Sequence, residues 1–510
     1  MFSVLAQEVG PAAAELEFVR PHIDWHAFAP ELIVLGWGAL VTIVDLVGLE
    51  RTRRLMPSLT GIGFLLAMIP VLTLWDLSDD LPRVLFSGAY VVDHYALVLK
   101  GLFLISAYVV VLISTNYMAE GDYYDSEYYQ LVSASVLGMM VMTSARDMVS
   151  IFIALELVSI PAYLMAAWRK RDLRSNEAGL KYMLMGVFAS GLLLYGMSML
   201  YGAAADTRLE VIGEALAADS TSPYIVIGAL FTVIGFAFKV SAVPFHTWAP
   251  DTYEGAPTPL TAFLAVLSKA AGFVGLMSII LFALPEVSSI VQPFMWIIAA
   301  ATMTIGNLIA LRQSNVVRML AYSGIAQAGY MLAPFAVYGD VPDAVQSSVV
   351  TYLLIYAAMN LGAFAVVIVA ARKTRSGEID SFGGMFNYAP GLTAAMTAFL
   401  FSLTGIPPMG GWWAKFQIFN ALVEPGTFWG YTLAIVAAVN SVVAAFYYLN
   451  VAKNMWFLPA PGGDNAPIRI PPTLIAAIGI TLVFTMVSGL ALLVPDITDF
   501  TALAAAASGR

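Results

Sequence analysis

The 510-residue chain contains no cysteine and only four histidines, His22, His26, His94 and His246, scattered along its length. That is too few and too dispersed to hold an iron–sulfur cluster or a typical structural zinc site, so any redox chemistry is expected to lie in partner proteins. Charge is scarce as well, at 11% of residues. With Lys+Arg at 24 against Asp+Glu at 34 and a net charge of −10, the chain lacks the basic surface that nucleic acid binding needs. No Walker A loop, dinucleotide fingerprint or HExxH motif occurs. What is abundant is hydrophobic side chain, 60% of the total. A chain of this composition belongs in a bilayer, as an all-α integral membrane protein.

Spanning a hydrocarbon core of about 30 Å takes about 20 apolar residues in an α-helix. Breaking the apolar runs at charge and Pro/Gly clusters predicts about fourteen helices, near 32–50, 56–75, 97–118, 129–145, 148–168, 178–202, 223–246, 258–284, 291–311, 316–338, 344–371, 390–423, 427–458 and 471–494. Residues 1–31 are expected to be an extramembrane lead-in, 32–494 one polytopic domain and 495–510 a short tail. If the helices alternate, Arg51, Arg53, Arg54, Arg169, Lys170, Arg171, Arg174, Arg312, Arg318, Arg372, Lys373, Arg375 and Arg469 fall on one side. The other side has only Arg83, Arg146 and Arg208. The positive-inside rule then places the basic loops in the cytoplasm and both termini outside.

Two segments read as helices interrupted within the membrane, where lipid tolerates broken backbone only if protein or water covers it. One runs from Gly235 through Lys239 to Pro244, the other from Gly405 through Pro407, Pro408 and Gly411 to Lys415. Each has a lysine four residues after a glycine, and they lie in the seventh and twelfth predicted helices. Five helices apart is the spacing of an internal five-helix repeat, and an odd number per unit inverts the second copy, giving repeats near 129–284 and 291–458.

Ionisable residues inside the predicted spans are Asp45, Lys100, Glu156, Lys181, Lys239, His246, Lys269, Lys415 and Lys453. A charge at a helix centre costs roughly 2.5–3.5 kcal/mol on insertion scales, so a deep one needs a partner, water or a function. Asp45, Lys100 and Lys453 lie near helix ends, where snorkelling accounts for them. Lys181 follows Glu177 by four residues, the spacing of an ordinary surface pair. His246 reads equally as a hydrogen-bonded core histidine or a proton carrier. Glu156, Lys239 and Lys269 lie too deep to snorkel, and Lys415 follows an interruption. These four are the candidates for a proton relay, because the proton affinity of a buried Lys–Glu pair changes with its spacing and hydration.

The stretch 238–259 includes Phe-Lys-Val-Ser-Ala-Val-Pro at 238–244 and Ala-Pro-Asp-Thr-Tyr-Glu-Gly-Ala-Pro at 249–257. It closely resembles the signature segment of the antiporter-like membrane subunits of complex I, the proton-pumping NADH:quinone oxidoreductase, and its wording is similar to the subunit N type. Leu155-Glu156-Leu157, Ser175 to Tyr182, Arg318 to Gln327, Gly405-Ile-Pro-Pro and Lys415-Phe416 support the resemblance, which extends over residues 30–490.

The resemblance implies fourteen helices with two inverted five-helix repeats, each holding a broken helix. It implies a proton-translocating subunit of a bacterial inner membrane complex, with no cofactor in this chain and with flavin, iron–sulfur clusters and quinone in partner subunits. Glu156 corresponds to a glutamate that pairs with Lys239, Lys269 to the relay lysine of the eighth helix, and Lys415 to the lysine at the far end of the path. Glu177 and Lys181 correspond to a pair in the sixth helix that belongs either to the relay or to its support. In the tenth helix only Ser323 and Gln327 are polar where a second glutamate would stand, so one channel is expected. Two other readings remain: a subunit of a multisubunit cation/proton antiporter, and a structural scaffold of the complex.

Overall fold

The computed structural model describes residues 23–48, 54–76, 81–121, 125–218 and 220–490. Most of the expected lead-in, Arg51 and Arg53 of the first basic loop and the tail 495–510 lie outside these residues. Ten helices among the described residues are long and apolar enough to cross a membrane, among them Ala29–Val47, His94–Glu120, Leu173–Ala204, Thr258–Ala283 and Pro342–Thr374. Of the other predicted spans, 129–145 is the helix Asp125–Ser144 and 316–338 is Val316–Leu332 followed by a turn of 3-10 helix. The span 223–246 stops at Lys239 and helix resumes at Trp248, while 390–423 divides into Pro390–Thr404 and Gly410–Val423.

Burial sorts the helices. Thr258–Ala283 is enclosed by protein throughout its central window and Pro342–Thr374 nearly so, whereas Leu173–Ala204 and Phe428–Phe457 present Leu184, Phe188, Val439 and Phe446 outward. In water such exposure would be costly, and in lipid it is the expected outer surface. The enclosed helix can sit among its neighbours because Ala262, Ala265, Ala270, Ala271, Gly272 and Gly275 let backbones approach. It also carries two π-helical turns, Leu264–Ser268 and Ile279–Ala283.

The loops gather at two ends. At one, a short antiparallel hairpin pairs Arg83–Leu85 with Tyr90–Val92, an element too brief for any hydropathy pattern to reveal. Arg146 N–H donates to Ala89 O at 2.9 Å and Met148 N–H to Thr207 O at 2.8 Å, so three loops meet there. Each arginine of the sparse side is neutralised by an aspartate: Arg83 with Asp24 at 2.7 Å, Arg146 with Asp93 at 2.9 Å and Arg208 with Asp206 at 2.8 Å. The Arg208 guanidinium holds the half-buried Asp206 carboxyl down to about 2, so this pair stays ionised through neutral and mildly acidic pH. At the other end Arg372 pairs with Glu120 and Lys373 with Asp464, and Val316 N–H donates to Gly377 O at 2.7 Å.

One expectation is corrected here. Lys100 does not snorkel: it is fully buried, with its Nζ 2.9 Å from the equally buried Glu31 carboxylate and donating to the Tyr90 hydroxyl at 3.1 Å. The first helix begins at Ala29, so Glu31 lies within its first turn and faces inward.

Candidate functional site

The two chain interruptions are built so that their freed backbone groups find partners. After Lys239 the chain passes through Ser241 at a φ of +62°. Val243 N–H then donates to the Thr302 hydroxyl at 3.0 Å, and the Trp248 indole donates back to Phe238 O at 3.2 Å. At the second interruption Gly405 takes a φ of +92°, where a Cβ would also strike the Lys415 stem. The end of Pro390–Thr404 leaves carbonyls exposed within the fold. Gln327 Nε2 donates to Leu403 O at 3.0 Å and Lys415 Nζ to Thr404 O at 2.8 Å. Both lysines therefore lie at a helix C-terminus, the negative end of its dipole, Lys239 as the last residue of its own helix and Lys415 as a cap on another.

Lys239, Lys269 and Lys415 are all buried. Among the described residues none of the three is within 4.0 Å of a carboxylate. Lys239 Nζ donates to Ser159 Oγ at 2.8 Å and to the Tyr182 hydroxyl at 3.4 Å. Tyr182 is in turn stacked on Trp248 with ring centroids 4.4 Å apart. Glu156, three residues before Ser159 on the same helix, instead accepts a hydrogen bond from Ser190 Oγ. The expected direct Glu156–Lys239 contact is thus replaced by Ser159, one helical turn along.

Lys269 follows directly on a π-helical turn, a local widening that recurs at functional positions. Its Nζ donates to Gly324 O at 2.6 Å. A Cβ built on Gly324 would lie 3.2 Å from that Nζ and 3.1 Å from the Tyr356 hydroxyl, so lysine and tyrosine border one spot. Beyond it Ser323, Tyr448, Gln327 and Tyr352 form a hydrogen-bonded cluster, and Gln327 reaches Leu403 O beside the carbonyl that Lys415 holds. Lys415 also donates to Ser441 Oγ at 3.3 Å and lies 4.5 Å from the Tyr330 ring centroid. Polar groups thus run from Lys239 past Lys269 to Lys415 through the enclosed centre of the protein. Each lysine is solvated by hydroxyls, carbonyls and aromatic faces rather than by a fixed anion. Such groups can hold a proton or pass it on, since hydroxyls both donate and accept.

The sequence picked out the three lysines and Glu156 but missed Ser159, Tyr182, Tyr352, Tyr356, Tyr448 and Ser441. Ser159 alone carried a signal, its i+3 spacing from Glu156. The secondary candidates lie elsewhere. Glu177 and Lys181 are exposed and paired at 2.7 Å; Lys181 also meets Asp251 at 2.9 Å, and Arg318 joins Asp251 to Glu254 at 3.0 and 2.9 Å. The half-buried His246 makes no side-chain hydrogen bond to the four relay candidates.

Gly272 lies three residues after Lys269, and a Cβ there would stand 2.9 Å from Lys239 Cγ. Gly272→Ala is therefore expected to push the Lys239 stem aside. Alanine favours helix by up to about 1 kcal/mol over glycine, so intrinsic propensity does not predict a loss of stability. The expected result is a several-fold fall in transport with assembly and thermal midpoint nearly unchanged, read by vesicle acidification beside a thermal melt.

A family profile described as NADH:quinone oxidoreductase/Mrp antiporter, transmembrane, matches residues 145–441. The chain is 38% identical over 440 residues to NADH-quinone oxidoreductase subunit N of Trichlorobacter lovleyi, covering 86% of this chain and 88% of that one. It is 38% identical over 441 residues to NAD(P)H-quinone oxidoreductase subunit 2 of a Synechocystis species, covering 86% and 83%. Among solved structures, a chain of respiratory complex I from Thermus thermophilus matches with a TM-score of 0.77 at 29% identity, covering 93% of this chain and 99% of that one. A chain of the Mrp complex from a Dietzia species matches with a TM-score of 0.81 over 95% and 98%; its 18% identity shows the fold alone.

Proposed function

Since the chain belongs to the family of membrane subunits that NADH:quinone oxidoreductases share with Mrp antiporters, we propose that it is the subunit N type of complex I membrane-arm subunit and carries protons through its buried lysine row. The observation that carries the relay is the set of buried polar groups around Lys239, Lys269 and Lys415, none of the three lysines lying within 4.0 Å of a carboxylate among the described residues. Relatives at 35–39% identity bear quinone oxidoreductase names, which favours this reading over a stand-alone antiporter. The fourteen-helix count, two inverted five-helix repeats with broken helices 7 and 12, cytoplasmic basic loops and outward termini are part of the same reading. So is a bacterial inner membrane location beside other membrane-arm subunits, with flavin, iron–sulfur clusters and quinone carried by partners.

In this reading redox energy from the partners alters the setting of Glu156. The carboxylate lies one turn from Ser159, so a rotation of its side chain, or water entering beside it, changes the field at Lys239. A carboxylate brought near favours the charged lysine and one withdrawn disfavours it. The released proton passes by Lys269 and the Tyr356, Ser323, Tyr448 and Gln327 groups to Lys415.

Glu156→Gln keeps the hydrogen-bonding shape and removes the charge. The expected outcome is an assembled complex whose quinone turnover and proton pumping both fall several-fold. Pumping per NADH and turnover both at the wild-type level would remove Glu156 from the switch.

A further inference from the structure

Lys453 stands apart from the buried lysines. It lies on the outward face of Phe428–Phe457, four residues before the end of that helix, exposed and, among the described residues, without a hydrogen bond or ion pair. It borders a groove of about 680 Å³ between this helix and Pro390–Thr404. The groove's walls change character along its length. Near the helix end are Lys453, Asn450 and Trp456 with the terminal Phe457 beside them, and further along the helix lie Phe446 and Leu449, facing Phe401. The Trp456 indole is fixed by a hydrogen bond to the Thr397 hydroxyl at 2.8 Å and by stacking on Phe386 at 4.6 Å, so this wall is rigid.

We propose that this groove binds an anionic glycerophospholipid, with its phosphate on the Lys453 ammonium and an acyl chain along Phe401, Phe446 and Leu449. Charge complementarity selects the occupant. At 1.5 Å of rise per residue Lys453 is about 6 Å from the helix end, within reach of the headgroup layer along its own stem. Tryptophan beside it is the residue type that settles at that level. Among the described residues the ammonium has no ion pair, and a phosphate diester whose charge is not offset by an ammonium in its own headgroup is the net anion that a membrane supplies there. The site is independent of the lysine row, so its failure leaves the proton relay untouched.

The probe is a phosphatidylglycerol with a photoactivatable acyl chain, in vesicles holding the assembled complex, with a matched phosphatidylcholine probe as control. Labelled peptides are mapped by mass spectrometry. The expected result is labelling within residues 397–457 that prefers the anionic probe, and a fall of about fivefold in Lys453→Gln, the effect of one basic residue at a charged membrane surface. A Lys453→Arg variant should keep the labelling. Equal labelling by both probes, insensitivity to Lys453→Gln, or an amine crosslink from Lys453 to a neighbouring subunit that replaces lipid labelling would each overturn the proposal.

Discussion

Replacing Lys239 by alanine is expected to lower quinone turnover and proton pumping together, by about tenfold or more, in a complex that still assembles. The argument rests on where the side chain sits. Its ammonium hydrogen-bonds Ser159 and Tyr182, which stand on two helices, and alanine leaves no basic side chain there to take up the proton. A tenfold loss corresponds to about 1.4 kcal/mol on the limiting barrier, a modest demand for removing an obligatory carrier. Assembly should survive because the partners left behind are hydroxyls, which a water filling the vacated space can satisfy. Lys239→Arg retains a charge and a donor for Ser159 and Tyr182 but holds its proton far more tightly, so it should assemble as well without restoring transport.

Removing Glu31 is expected to act on stability instead. Lys100 would remain fully buried, keeping among the described residues the Tyr90 hydroxyl as its one hydrogen-bond partner and the Tyr90 ring 5.2 Å away. Breaking a buried ion pair from one side costs about 3–5 kcal/mol, whereas replacing both partners by apolar groups of similar volume is often neutral. Glu31→Ala should therefore lower the thermal midpoint and expose the first helices to protease. Glu31→Leu combined with Lys100→Met should recover most of the loss. A single variant as stable as the wild type would show that Lys100 is solvated in some other way.

These two sites also mark what the amino-acid order reveals and what it hides. The membrane class follows from apolar runs of spanning length, because the bilayer requires every backbone group to be paired within a helix or by protein cover. Lys239, Lys269 and Lys415 stand out for the same reason: a charge in such a run is costly, so its mere presence is a signal. Glu31 gives no such signal: it is the last residue of the expected extramembrane lead-in, where an acidic side chain is ordinary, whereas the first spanning helix begins at Ala29 and buries it, and its pairing with Lys100 depends on tertiary packing that has no periodicity. For Lys100 the assumption that a lysine near a helix end reaches water failed because the hairpin at Tyr90 and the first helix close over it. Lys453, judged by the same rule, is exposed as expected.

The polar cluster between the lysines was hidden for a different reason. Tyr182, Tyr352, Tyr356 and Tyr448 are amphipathic, and in a sequence each reads as one more aromatic in an apolar helix. Only the packing of distant helices brings the Tyr182 hydroxyl to Lys239 and the Tyr352 and Tyr448 hydroxyls to Gln327. Gln327 was visible as a polar residue where a glutamate was sought. Its hydrogen bond to Leu403 O, beside the carbonyl held by Lys415, gives it a part in closing the second interruption.

The measurement that bears most directly on the lysine row is the rate of proton pumping in sealed vesicles beside the rate of quinone turnover, for wild type and Lys239→Ala, with assembly followed on a native gel and Lys239→Arg run alongside. The account predicts assembled complexes in which both substitutions sharply reduce pumping and turnover. An assembled Lys239→Ala complex that pumps at the wild-type ratio and rate would contradict it and make Lys239 a structural residue.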